Sequence, residues 1–195
     1  GNLASWWTQI RTWQEEYDYD YHVGRLTVPW ALNQVMQNTC GKAYAYATDV
    51  GQHQMWAALH LRVEEPRTWL TSGGLGTMGY GLPAAMGAQI AWGDRRRVIH
   101  IAGDGGIKMT GNEYYTIARL GLPVLSIIAN NRGLGMIRQL QKVLYDERYI
   151  ACELDHEMDY VKYVESFGIK AVRVGAQDEF AAALRNALED ATHPR

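Results

Sequence analysis

Residues 123–129 (Pro-Val-Leu-Ser-Ile-Ile-Ala) form an almost continuously apolar run that stops at Asn130-Asn131. A strand that is apolar on both faces must be covered on both faces, which happens in parallel sheets flanked by helices. Parallel strands need long crossovers, and the rest of the chain supplies them. Strands are expected over 43–48, 68–71, 97–102, 123–129 and 170–174. Apolar residues at helical spacing predict helices over 5–17, 29–37, 52–61, 82–92, 110–120, 136–144, 159–167 and 178–191. Ser5 is the expected cap of the first helix, and Pro29 suits the first turn of the second. Thr110-Gly111-Asn112-Glu113 has the form of a capping box, and Gly168 is expected just past a helix end. The expected fold class is α/β, a parallel sheet with helices on both faces.

Composition excludes several function classes. The chain has 195 residues, 47% hydrophobic and 21% charged, with a net charge of -2. A disordered chain would be less apolar, and a nucleic-acid binder would carry a basic stripe. The densest basic run, Arg95-Arg96-Arg97, reads as a solvated corner. No run approaches the length of a membrane span. Cys40 and Cys152 make neither a disulfide framework nor a zinc site, so a reducing, cytoplasmic setting is expected. The chain's start reads as neither a secretory signal nor a transit peptide.

Glycine and tryptophan are unevenly placed. Of the 20 glycines, fourteen lie between Gly73 and Gly135, and all 7 tryptophans lie at or before Trp92. The glycines punctuate the expected strand ends at Asp49-Val50-Gly51, 72–81, Gly103-Asp104-Gly105-Gly106 and after Asn130-Asn131. In open parallel sheets, ligands bind beyond the carboxyl ends of the strands. Gly74-x-Gly76-x-x-Gly79 has the outline of a dinucleotide fingerprint, with Asp104 beyond it. Against nicotinamide binding, Ser72 and Gly73 separate the strand from the first fingerprint glycine. Asp104 and Asn131 form the stronger pair. They are 27 residues apart, one helix and one buried strand, so two hard oxygen ligands would face each other at neighbouring strand ends. Mg²⁺ takes one or two such side chains together with phosphate oxygens and water. Gly105, Gly106, Gly133 and Gly135 leave room for a diphosphate to approach the backbone.

This G-D-G…N-N spacing resembles the thiamine-diphosphate motif, and longer blocks then fall into register. Thr48-Asp49-Val50-Gly51-Gln52-His53-Gln54-Met55-Trp56-Ala57-Ala58 is similar to a block of the acetolactate synthase (acetohydroxyacid synthase) family. So are residues 69–85, from Trp69 through Ser72-Gly73-Gly74-Leu75-Gly76-Thr77-Met78-Gly79 to Ala85. Leu134-Gly135-Met136-Ile137-Arg138-Gln139 resembles that family's L-G-M-V-R-Q stretch. The similarity covers roughly 29–195. It implies a C-terminal thiamine-diphosphate-binding domain over 29–195, truncated before its final strand. Residues 1–28 would be the tail of a middle domain and its linker, with the pyrimidine-binding domain and most FAD contacts lying elsewhere.

The resemblance also implies roles. Asp104, Asn131 and the carbonyl of Gly133 would hold Mg²⁺. Gln52 and His53 would contact the diphosphate. Gly51, Gly103, Gly105, Gly106, Leu134, Gly135 and Met136 would complete the cofactor site. Gly76 would offer its carbonyl to the cofactor's 4′-amino group, and Met78 would sit beneath the bent cofactor, so these two are the catalytic candidates. Val50, Met136 and Leu140 would border the substrate channel. The implied reaction joins decarboxylated pyruvate to a second 2-oxo acid, pyruvate or 2-oxobutyrate, in branched-chain amino acid biosynthesis. The implied assembly is a homodimer or tetramer of the full subunit with a small regulatory subunit. Any plastid targeting segment would lie outside this stretch, and neither nucleic acid nor membrane is an implied partner. Two positions depart from the family: Gly106 stands where it has serine, and Leu140 where it usually has tryptophan. Another thiamine-diphosphate-dependent decarboxylase or carboligase, or a non-catalytic oligomerisation module of the same fold, are the alternatives to a synthase. The fragment alone is expected to be inactive, since the activating glutamate lies on the missing domain.

Overall fold

A computed structural model describes residues 3–18, 24–154 and 158–190. Four strands form one sheet: β1 (Tyr44–Thr48), β2 (Trp69–Thr71), β3 (Arg97–Gly103) and β4 (Leu125–Ala129), in the spatial order β2-β1-β3-β4 and all parallel. The nine helices among the described residues are α1 (Ala4–Glu16), α2 (Val28–Thr39), α3 (Gln52–His60), α4 (Gly81–Trp92), α5 (Asp104–Thr110), α6 (Tyr114–Arg119), α7 (Gly135–Leu144), α8 (Tyr160–Glu165) and α9 (Gln177–Glu189). None is long and apolar enough to cross a membrane.

The sheet is covered on both faces, as the apolar strands require. Tyr46, Ile99, Ile101 and Leu125 pack against Leu32 and Val35 of α2, Ala57 of α3, and Phe180 and Leu184 of α9. On the opposite face, Ala47, Val98 and Ala102 meet Leu82 and Ala85 of α4, Ile107 of α5, Tyr114 and Ile117 of α6, and Val164 of α8. The central strand β3 is buried at every position but its last.

Chain order turns this packing into a crevice. From β1 the chain passes through α3 to β2 on one side, then through α4 to β3 on the other side of β1. The sheet's direction of growth therefore reverses between β1 and β3, the place where doubly wound sheets open a ligand crevice. The registers set Thr48 beside both Thr71 and Ile101, and Gly103 beside Ala129. β1 and β2 thus end at one level, and β3 and β4 run two residues further.

Several local expectations are corrected. Ser5 does not cap α1: the helix begins at Ala4, and its cap position is Leu3, which makes no side-chain cap hydrogen bond. Thr27 caps α2, with Pro29 in the first turn as expected. No capping box forms at Thr110. Residues 111–113 make a 3-10 turn before α6, and the Thr110 hydroxyl donates instead to the Gly79 carbonyl at 2.9 Å. Gly103-Asp104-Gly105 is the start of a helix, α5, rather than a turn alone.

Two larger corrections concern edges. Residues 170–174 do not form a strand: they and β4 both line a cleft of about 800 Å³, and Val172 is 70% exposed. The cleft separates the segment from the free edge of β4, so no ladder forms between them. The arginine run is a solvated corner only at Arg95, which is exposed. Arg97 is buried and donates to the carbonyls of Pro123 and Ala187, each at 2.7 Å, while Arg96 reaches the Tyr44 carbonyl and Glu65. Their fixed forks serve the Tyr44 and Pro123 carbonyls, at the amino ends of β1 and β4, and the Ala187 carbonyl in α9. The tryptophans of α1 do make a separate surface: Trp6, Trp7 and Trp13 are exposed, and no residue of α1 is buried. Ala191, expected inside the last helix, lies outside the described residues.

Candidate functional site

The crevice is built where α3, α5 and α7 begin. Asp104 is the first residue of α5 and only 2% exposed. One carboxylate oxygen accepts from the Gly105 N–H at 3.0 Å, and the other from the Gly133 N–H at 3.1 Å. The Asn131 side-chain oxygen accepts from that same Gly133 N–H, also at 3.1 Å. Two oxygens that the sequence separates by a helix and a strand thus meet at one amide. Burial pushes the Asp104 carboxyl above its ordinary range, while N–H groups of Gly105, Gly133 and Arg132 pull it back.

The loop after β4 is held in place from two directions. Leu134 N–H donates to the Cys152 carbonyl at 2.7 Å, and Leu154 N–H to the Arg132 carbonyl at 2.9 Å. Gln52, first residue of α3, donates to Gln139 of α7 at 2.7 Å. Gly135 sits so close to Gln52 and Asn131 that a side chain there would collide with both. The His53 ring lies against Gly51 and Gly103, where an added Cβ would come within 2.8 and 3.1 Å of it. Burial holds His53 below the usual histidine range, against the opposing pull of Asp49, and among the described residues its Nε2 has no hydrogen-bond partner. Met78 reaches the same place: a Cβ on Gly105 would lie 3.2 Å from the Met78 methyl and 2.7 Å from Leu134.

These donors fit a hard cation. A buried carboxylate and an amide oxygen compete for one N–H, so the site holds more acceptor capacity than the protein fills. Among the described residues no cluster of three His, Cys, Asp or Glu side chains could hold a metal. A carboxylate and an amide oxygen are the hard ligands that Mg²⁺ takes together with waters and phosphate oxygens. The unpartnered His53 nitrogen and the glycines around it leave the α3 start open to an anion.

Residues 49–194 match the C-terminal TPP binding domain of the thiamine pyrophosphate enzymes. The chain belongs to this family. It is 43% identical to the acetolactate synthase large subunit of Parasynechococcus marenigrum, over 97% of this chain and 30% of that protein. It is 41% identical to the mitochondrial acetolactate synthase catalytic subunit of Saccharomyces cerevisiae, over 93% of this chain and 27% of that protein. The acetolactate synthase isozyme 3 large subunit of Escherichia coli is 37% identical, over 99% of this chain and 34% of that protein. The chain spans about a third of the length of these curated relatives.

Within this thiamine pyrophosphate-binding domain, the sequence candidates divide. Gly51, Gln52, His53, Met78, Gly103, Asp104, Gly105, Asn131, Gly133, Leu134 and Gly135 are joined by the contacts above. Gly106 faces the other way, onto the Asp49 carboxyl. Gly76 lies on the exposed part of the loop before α4. Val50 and Met136 are half-buried, and Leu140 is 45% exposed on the surface of α7. Sequence reasoning missed three residues. Tyr160 donates to the Asp104 carbonyl at 3.1 Å, and burial pushes its hydroxyl up to about 12. Gln139 bridges to Gln52, and Asp49 bonds the glycine loop. Asp49 had one sequence signal, a carboxylate in an otherwise apolar strand end.

Proposed function

We propose that this chain is the part of an acetolactate synthase catalytic subunit that holds Mg²⁺ and the diphosphate of thiamine diphosphate. The observation that carries the reading is the meeting of Asp104 and Asn131 at the Gly133 N–H, beyond the reversal between β1 and β3. Relatives named acetolactate synthase along nearly the whole chain support that choice among thiamine pyrophosphate enzymes.

The Asp104 carboxylate, the Asn131 oxygen and the Gly133 carbonyl would hold Mg²⁺, leaving its remaining positions to phosphate oxygens and water. Backbone N–H groups at the starts of α3 and α7, beside Gln52, His53 and Gly135, would face the diphosphate. Helix amino ends present unpaired donors and a positive dipole to such an anion. Gly103, Gly105 and Leu134 would line the same floor, with Gly106 packed behind it against Asp49. Gly76 would accept from the 4′-amino group, Met78 would press beneath the ring, and Val50, Met136 and Leu140 would border the substrate's path. Gly76 and Met78 would thereby orient the cofactor's 4′-amino group for the proton transfer its chemistry requires. Bound thiamine diphosphate supplies the electron sink that lets pyruvate lose CO₂ and join a second 2-oxo acid. The division into a linker over 1–28 and a cofactor domain over 29–195 belongs to this proposal. So do FAD in the whole subunit, the homodimer or tetramer, the small regulatory subunit and the cytoplasmic setting.

Calorimetric titration with thiamine diphosphate, with and without Mg²⁺, tests the site. Binding should require Mg²⁺ and be lost in Asp104→Ala; Mg²⁺-independent binding that survives the substitution contradicts it. Product analysis tests the reaction. The full subunit should form 2-acetolactate from pyruvate, and the 195-residue chain alone should form none.

A further inference from the structure

The start of α4 presents a bonding problem. The residue before it, Tyr80, is itself in helical conformation, and its side chain caps nothing. The first N–H groups of a helix have no partner inside it, and both Gly79 and Gly81 are buried. A buried donor left unpaired would be costly.

The partner comes from another element. Asp49, just beyond β1 and 1% exposed, accepts from the Gly79 N–H at 2.9 and 3.1 Å and from the Gly81 N–H at 3.3 Å. It also accepts from the Val50 N–H at 2.6 Å. Among the described residues, its side-chain hydrogen bonds all come from backbone N–H groups. The carboxyl is wedged against α5, where a Cβ on Gly106 would lie 2.7 Å from it.

The segment held this way carries Met78. Its outer part is tied by Ser72, whose carbonyl accepts from Gly76 at 3.1 Å and whose hydroxyl accepts from Thr77 at 3.0 Å. Gly79 is clamped on both sides, its N–H by Asp49 and its carbonyl by the Thr110 hydroxyl. Gly79 also has φ +84, a conformation that side chains resist. Met78 is the one residue between the two ties.

We infer that Asp49 is a positioning residue whose carboxylate fixes the Gly79–Gly81 backbone and so sets where Met78 and the Gly76 carbonyl meet the ring of the cofactor. The last clause rests on the cofactor reading above; the fixing of the backbone does not.

Asp49→Asn in the 195-residue chain keeps the side chain's shape and replaces one acceptor oxygen with a donor. Amide hydrogen exchange should become about tenfold faster at Gly79 and Gly81, the cost of one charge-assisted hydrogen bond, and stay unchanged at Ile99 and Ile101. In the presence of Mg²⁺, affinity for thiamine diphosphate should fall about tenfold, while affinity for inorganic pyrophosphate, which lacks the ring, stays the same. Equal acceleration at all four amides, or equal loss of both ligands, would mean a general structural role and overturn the inference. The unsubstituted chain decides the matter if the variant does not fold. There, Gly79 and Gly81 should exchange as slowly as Ala85 inside α4, and exchange at open-loop rates overturns the inference. Should neither ligand bind the unsubstituted chain, the cofactor reading fails, and the exchange rates still decide whether Asp49 fixes the loop.

Discussion

Asp49 and Asp104 stand at the ends of adjacent parallel strands, both almost fully buried, and they do opposite things. N–H groups of Val50, Gly79 and Gly81 converge on the Asp49 carboxylate, which faces inward against α5. Asp104 also takes backbone N–H groups, those of Gly105, Gly133 and Arg132, but it shares that of Gly133 with Asn131, which is exposed. Burial lifts its carboxyl above the ordinary range even against those donors. One carboxylate is part of the frame, and the other is the one we propose for the ligand. What separates them is the exposed acceptor, Asn131, that shares a donor with Asp104, not residue type, burial or the number of N–H groups.

The contrast can be broken by substitution. The largest effect should come from Asp49→Ala, which strands buried N–H groups and empties the space beside α5. A loss of about 3 kcal/mol in urea-unfolding free energy is expected, and a loss no greater than that of a surface residue would refute the frame role. Asp104→Ala should act mainly on binding. Its apo unfolding free energy should fall by less than that of Asp49→Ala, while Mg²⁺-dependent thiamine diphosphate affinity falls by more than about 100-fold, beyond the range for groups that merely support a metal's ligands.

Protonation gives a smaller effect of opposite sign at different groups. His100, on β3 beneath Gly81, is fully buried, with Nδ1 3.1 Å from the Ser126 hydroxyl and its other nitrogen unpaired. Burial pushes it down to about 3 from an ordinary value of 6.5. The unfolded chain therefore takes up a proton that the folded chain refuses. Stability should be full above about pH 6.5 and decline as pH falls toward about 3, by about 2 kcal/mol between about pH 6.5 and pH 5. His53 acts in the same direction, and Asp104, with its raised carboxyl, in the other. His100→Gln should flatten the dependence of the urea midpoint on pH. Gly106→Ala, which would push a methyl into the Asp49 carboxyl, should cost about 1.5 kcal/mol by overpacking. Leu140→Ala, on the exposed face of α7, should change unfolding free energy by less than about 0.5 kcal/mol.

The legible parts of this molecule are those written in local pattern. The run over 123–129 announces a doubly covered strand, and the strand–helix alternation gives the parallel sheet. Asp104 and Asn131 could be paired because one crossover separates them, so spacing alone carries each to a neighbouring strand end. The start of α4 was not legible: its N–H partners lie about 30 residues earlier on β1, and no local capping rule looks that far. Thr110 failed for the same reason, since its hydroxyl serves Gly79 rather than its own helix. Residues 170–174 have strand chemistry, but the cleft between them and the free edge of β4 leaves no ladder to join. Arg97 looked solvated because its acceptors, Pro123 and Ala187, belong to distant parts of the chain.

The central claim is that Asp104 and Asn131 gather Mg²⁺ and a diphosphate at the Gly133 loop. Backbone amide NMR of the 195-residue chain, titrated with thiamine diphosphate before and after adding Mg²⁺, tests it most directly. The signals of Gly105, Gly133 and Gly135 should shift on ligand addition only when Mg²⁺ is present, and should stay still in Asp104→Ala. Shifts confined to the cleft beside β4, or the same shifts without Mg²⁺, would contradict it.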